Sequence, residues 1–136
     1  MPGPFIDTNV FIRHLTQDHA EFSPMATAFF ARIERGEIKA QTSETCIFEA
    51  VFTLEKRYRA AKPAIREGLF SLIELPGLQL PGKGRLRRAF DLYVDRNMSF
   101  GDASHIALME QLGITEIVSF DKDFDRVPGI SRVEPR

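Results

Sequence analysis

One cysteine stands in this 136-residue chain, and a lone thiol excludes an internal disulfide framework and any multi-cysteine metal site. Cys46 therefore reads as a small buried hydrophobe. Charge of neither sign dominates: Lys plus Arg number 18 against 19 Asp plus Glu, a formal net charge of -1. That balance excludes the broad basic field of a general nucleic-acid binder and leaves room only for a local basic patch. The sequence has no uninterrupted apolar run of roughly 18 residues, and its start lacks a charged region followed by a long apolar one, so neither a membrane span nor a signal peptide is expected. These absences together describe a soluble protein of the reducing cytoplasm.

What is present is a core. Hydrophobic residues make up 43% of the chain and include 12 Phe, enough for one domain over residues 1–136 without covalent staples. No repeat, low-complexity segment or dividing linker interrupts an alternation of short β-like runs with helical patterns. The stretch Pro4-Phe5-Ile6-Asp7-Thr8-Asn9-Val10-Phe11-Ile12 runs apolar, acid, apolar. Phe5 and Ile6 behind a Pro-Gly-Pro start predict a central strand, and Asp7 emerges where that strand gives way to loop. Asp7 has a second reading, as an N-cap for the short helix or turn of residues 10–15.

The rest of the alternation follows from caps and breakers. Ser23-Pro24 starts a helix whose face carries Met25, Ala28, Phe29 and Ile33 and which Gly36 stops. Residues 38–40 form a short strand. Ile47, Val51, Leu54 and Tyr58, with Phe48 and Phe52 beside them, then make a wide apolar stripe, leaving Glu49 on the polar strip of Thr45, Thr53 and Lys56. Helices are predicted over 63–75 and 83–97, with an extended run at 78–80 between them. On the second helix Arg85, Arg87 and Arg88 face solvent. Ser99 caps a helix through Leu112 that Gly113 ends; Asp102 is an acid at its start, and His105 reads as helix packing. A strand over 117–120 ends on Asp121, and residues 131–134 form a last edge strand.

Four acids therefore sit at structured positions: Asp7 and Asp121 after strands, Asp102 at a helix start, Glu49 on a polar helix strip. In a parallel sheet, right-handed crossovers bring strand ends and following helix starts to one rim, so Asp7, Asp102 and Asp121 can converge. Bare carboxylates about 4 Å apart repel by roughly 4 kcal/mol per pair at an effective dielectric of about 20, and such a cluster persists only with protons or a cation. Hard oxygen donors without cysteine or clustered histidine favour Mg²⁺ or Mn²⁺. Partly hydrated, those ions suit hydrolysis of phosphate esters.

PFIDTNVFI, SETCIFEAVFTLEK, MSFGDASHIALM and EIVSFDKDFDRVPGI, in that order and spacing, resemble the PIN-domain nucleases, most closely the VapC type of bacterial toxin. The resemblance covers nearly the whole chain. It implies an α/β/α sandwich with a mostly parallel central sheet and a Mg²⁺-dependent endoribonuclease restrained by a cognate antitoxin. Asp7, Glu49, Asp102 and Asp121 fall on the family's acids. Asp7, Asp102 and Asp121 are then the expected metal ligands, with Glu49 orienting a water. Asn9 and Ser119 are expected to hold those carboxylates, and Asp123 to be an auxiliary ligand. Ser119 stands where members often have threonine.

Arg13, His14, Lys122 and Arg126 follow Asp7 or Asp121 closely enough to flank the acids and meet RNA phosphates, or they are scattered surface charges. Phe29, Phe30, Phe48 and Phe52 are core, or part of a face for a second copy in a homodimer or for an antitoxin segment. Other functions remain open: an RNA-processing nuclease of the same fold without an antitoxin, a phosphoryl-accepting domain, or a non-catalytic binding module. Asp7-Thr8-Asn9 lacks the second acid and the chain lacks the phosphate-loop glycines that the phosphoryl acceptor needs, and four placed acids argue against the binding module.

Overall fold

A computed structural model describes residues 2–136. Its helices are α1 (Thr8–Thr16), α2 (Phe22–Glu34), α3 (Glu44–Lys56), α4 (Lys62–Ile73), α5 (Lys83–Asp95) and α6 (Phe100–Leu112). The strands are short: β1 (Ala40–Gln41), β2 (Leu78–Gln79), β3 (Glu116–Val118) and β4 (Ser131–Val133), with a 3-10 turn at Lys122–Arg126. The order is that of an α/β protein, and every pairing among the described residues is parallel, which the long crossovers between the strands allow.

The strands pair as β1 with β2 and β3 with β4, in two separate ladders. Phe5 adds a parallel bridge to Gln41, where the Ile6 N–H donates to the Gln41 carbonyl and the Gln41 N–H to the Pro4 carbonyl, both at 2.7 Å. This corrects the expectation of a central strand at Phe5 and Ile6. Ile6 is buried, but Phe5 is 60% exposed, and Pro4, with no N–H to give, suits an edge. Gly3 permits the pairing: a Cβ there would lie 1.7 Å from the Lys39 carbonyl oxygen.

The helices pack around one core in which Phe11, Phe90, Tyr93, Phe100 and Ile106 are fully buried. Phe100 opens α6 and is its anchor. Its ring lies 4.7 Å from Phe90, 5.4 Å from Tyr93 and 5.2 Å from Phe48, the last two edge-on. Burying such a ring stabilises by about 1.5–3 kcal/mol, and aromatic pairs add roughly 0.5–1.5 kcal/mol. The start of α6 is thereby held in place. Lys62 Nζ adds a tie from α4, donating to the Met98 carbonyl at 2.7 Å just before the helix cap.

Local signals placed most helix ends. Ser43 caps α3 by accepting the Cys46 N–H, Ser99 caps α6 by accepting the Asp102 N–H, and Gly113 ends α6 at φ 72. Helix α2 differs from expectation. It begins before Ser23-Pro24, because the His19 ring accepts the Phe22 N–H at 2.9 Å and does the capping, while Ser23 is buried and accepts the His19 N–H. Among the described residues no helix is long and apolar enough to cross a membrane.

Candidate functional site

Asp7 stands at the N-cap of α1 with extended backbone, but its carboxylate makes no capping hydrogen bond. Its position is set by its neighbours. The Ile6 carbonyl accepts the Thr42 hydroxyl at 3.1 Å and the Cys46 thiol at 3.7 Å, so the end of β1 and the first turn of α3 clamp the residue before Asp7. Cys46 is buried and free, as expected of a small hydrophobe. Glu49 follows one turn later on α3 and, like Asp7, is exposed. Beside Asp7 the Thr8 hydroxyl oxygen is buried without a hydrogen-bond partner.

At the other acids the carboxylates crowd. One oxygen each from Asp102, Asp121 and Asp123 lies within 4.8 Å of the others, and Asp7 and Glu49 stand outside this group. Asp102 and Asp121 thus converge as expected, and Asp123, expected only as an auxiliary, joins them. Burial and then the neighbouring Asp121 carboxylate push the Asp102 carboxyl above its ordinary value, with Asp123 adding to the rise, while a hydrogen bond with Ser99 and the His105 ring oppose it.

Polar supports hold the acids that follow β3. The Asp121 carboxylate accepts the Asp123 N–H at 2.9 Å, and Ser119 Oγ accepts the Asp121 N–H at 3.0 Å. Ser119 therefore holds the backbone at Asp121, where it was expected to hold a carboxylate. Arg132, absent from the sequence reading, donates to the Ser119 carbonyl at 3.0 Å and to Asp125 at 2.9 Å, fastening β4 to this turn. Its signal in the sequence was faint, a lone arginine in a predicted edge strand.

The basic residues divide. Lys122 and Arg126 are exposed on the turn that carries Asp123, with Arg126 3.9 Å from it. Arg13 is instead bound to Asp18 at 3.0 Å. His14 lies 2.8 Å from the Thr27 hydroxyl and 5.2 Å from the Phe30 ring, so it fastens α1 to α2, and burial lowers its pKa. Asn9 lines a groove with Phe5 and Phe22. Arg85, Arg87 and Arg88 each meet a carboxylate, from Glu44, Glu74 and Glu110, consistent with a solvated helix face. His105, read as packing, is exposed one turn beyond Asp102.

The four phenylalanines divide as well. Phe30 is buried, Phe29 and Phe48 are half-buried and Phe52 is 49% exposed. Phe29 joins Phe5, Phe22 and Met25 around an open groove of about 590 Å³.

The donor set is chemically uniform. Three carboxylates with oxygens within 4.8 Å, an orphaned hydroxyl beside a fourth and, among the described residues, no thiol or imidazole cluster fit a hard divalent cation.

Known proteins resemble this chain along most of its length. A ribonuclease named VapC from Aquifex aeolicus is 27% identical over 130 residues, covering 96% of this chain and 95% of its own. Ribonuclease VapC13 of Mycobacterium tuberculosis is 35% identical over 78 residues, covering 57% of this chain and 58% of its own. Among solved structures, the VapC20 toxin of M. tuberculosis, described as cleaving the sarcin-ricin loop, is 21% identical, covers 97% of this chain and 99% of that one, and superposes with a TM-score of 0.42. The family model described as PIN domain matches residues 5–130, nearly the full length, and this chain belongs to the PIN-domain family.

Proposed function

We propose that the protein is a Mg²⁺-dependent endoribonuclease, with Mn²⁺ as a substitute, and the toxin of a type II toxin–antitoxin pair. The observation that carries the reading is the convergence of Asp102, Asp121 and Asp123 within 4.8 Å in a chain whose relatives are named ribonucleases. Asp102 and Asp121 would hold the cation with Asp123 beside them, and Asp7 and Glu49 complete the acidic set. The cation would supply charge neutralisation at the phosphate and a lowered pKa for an attacking water.

The chain's own residues do the rest. Ser119 and Arg132 keep the Asp121 turn in one geometry, the role that outer residues play at metal sites. Asp7 and Glu49, exposed on firmly clamped elements, accept hydrogen bonds from the attacking water and orient it. Lys122 and Arg126 draw the RNA backbone to a rim that its acids would otherwise repel. No side chain is placed as a nucleophile, because Cys46 is buried; water takes that role.

The partner in restraint would be a cognate antitoxin, seated in the apolar groove of Phe5, Phe22, Met25 and Phe29. A homodimer is the assembly we assign, to be read by light scattering. Cleavage of structured RNAs with added Mg²⁺, with EDTA, and by the Asp121→Asn variant tests the activity. RNA cut equally in all three would sink it. Recovery of no small partner from the native host would remove the toxin assignment and leave an RNA-processing nuclease.

A further inference from the structure

α3, α5 and the first turns of α6 enclose a small cavity of about 200 Å³. The buried Leu86 and Ala89, with Phe48 and the 41% exposed Leu108, give it an apolar lining. The Phe48 ring is pinned edge-on to Phe100 at 86°. Its rim is polar. Arg85 gives one nitrogen to Glu44 and another to Gln111 at 2.6 Å, leaving its Nε–H and the second Glu44 oxygen. Ser104 donates to the Phe100 carbonyl at 2.8 Å and keeps its lone pairs, and His105 adds a ring nitrogen.

Position gives this cavity its meaning. Gly101 and Ser104, which line it, bracket Asp102 on α6, and His105, which also lines it, follows one turn later. The cavity therefore opens within one helical turn of the clustered acids. A second phosphate would find Arg85 already paired with Glu44, and an aliphatic side chain would leave the rim groups without partners. A flat ring with donors and acceptors on its edge satisfies lining and rim together. Unpaired RNA bases are recognised in this way, by stacking on aromatic side chains and by hydrogen bonds to their edges. The volume lies below the roughly 300–1,000 Å³ of drug-sized sites, matching one base.

We infer that this cavity binds one unpaired nucleobase flanking the bond to be cut; the inference rests on the ribonuclease reading above. Gly101 offers a clean way to close it. A Cβ there meets nothing within 4 Å, so Gly101→Leu grows into open space. The test compares kcat/KM, with Mg²⁺, for a single-stranded RNA and for versions carrying an abasic residue on either side of the cut. One abasic position should slow the wild type roughly ten- to hundredfold, the effect of a lost stacked base. Gly101→Leu should cut the intact RNA at the abasic rate and the abasic RNA as the wild type does. Equal rates on intact and abasic RNA in the wild type, or undiminished discrimination in Gly101→Leu, would overturn the inference. If no RNA is cut, the ribonuclease reading fails by itself, and an NMR titration with the four nucleoside monophosphates decides the cavity. Shifts of the Phe48 and His105 rings in the wild type, absent in Gly101→Leu, would support it; no shifts would overturn it.

Discussion

Two parts of the molecule present carboxylates, and they hold them in opposite ways. Asp7 and Glu49 are exposed on a buried frame: Ile6, Thr42 and Cys46 are all buried and tied to one carbonyl. Asp102, Asp121 and Asp123 are crowded on a frame of polar contacts, and the strand leading to Asp121 is open to solvent, with Val118 60% and Phe120 75% exposed. In the first part, packing fixes where the backbone goes and the carboxylates stand exposed at its edge. In the second, like charges are forced together and Asp102 is driven toward its neutral form. The crowded acids are thus the ones whose free energy a cation changes most.

Breaking the crowded group should have the largest effect. Asp102→Asn or Asp121→Asn keeps the shape and removes a charge, and we expect RNA cleavage to fall more than about a hundredfold, beyond what outer residues of metal sites typically cost. Asp7→Asn should also lose cleavage while keeping its circular dichroism spectrum. Single-turnover rates decide whether the contrast is functional: a loss at Asp7 as large as at Asp121 would place Asp7 among the cation's own ligands. Next in size, Ser119→Ala and Arg132→Ala should each lower activity or Mg²⁺ affinity by roughly 10–100-fold. Wild-type affinity in both, measured by calorimetry, would mean that the polar frame is dispensable.

Thermal unfolding sharpens the comparison further. At a cation concentration a hundredfold above Kd, linkage adds about 2.7 kcal/mol, so Mg²⁺ should raise the Tm of the wild type by several degrees and that of Asp102→Asn by less. Without Mg²⁺, pH acts on the same group. Asp102 has a raised pKa in the folded state, so folding takes up protons, and stability from this group is present below its unfolded pKa and lost as pH rises through the folded one. Asp18, lowered by its hydrogen bonds from Tyr58 and Thr16, acts in the opposite sense. The difference between wild type and Asp102→Asn isolates the first effect. The wild type should lose Tm relative to the variant as pH rises through the carboxylate range, and parallel curves would deny the crowding.

The smallest effect concerns RNA approach. Changing Lys122 and Arg126 to alanine should flatten the salt dependence of RNA binding by about one unit of slope per lost contact. Arg13→Ala, already paired with Asp18 in the wild type, should leave the slope alone. Fluorescence anisotropy across a salt series, with Mg²⁺ binding measured alongside, separates the two. An unchanged slope in the double variant would return these cations to the general surface.

What could be read without coordinates was local. Ser43, Ser99 and Gly113 cap or end helices because side-chain oxygens and a left-handed backbone act within a few residues. Asp7, Asp102 and Asp121 were legible as strand-end and helix-start acids for the same reason, and the motif order around them pointed to the family. Distances between them were not legible. Whether Asp123 joins Asp102 and Asp121 depends on how α6 and the turn at Lys122–Arg126 meet, and no spacing in the chain encodes that. His14 and Arg13 looked like free cations until α2 supplied Thr27 and the loop supplied Asp18. By itself the sequence determined the helices, the parallel alternation and the acids on offer, since these follow from periodicity, caps and residue chemistry. Tertiary structure alone decided which acids crowd, that Phe5 lies at an edge, and that Phe48, Glu44 and His105 surround one cavity, because those outcomes rest on contacts between residues far apart in the chain.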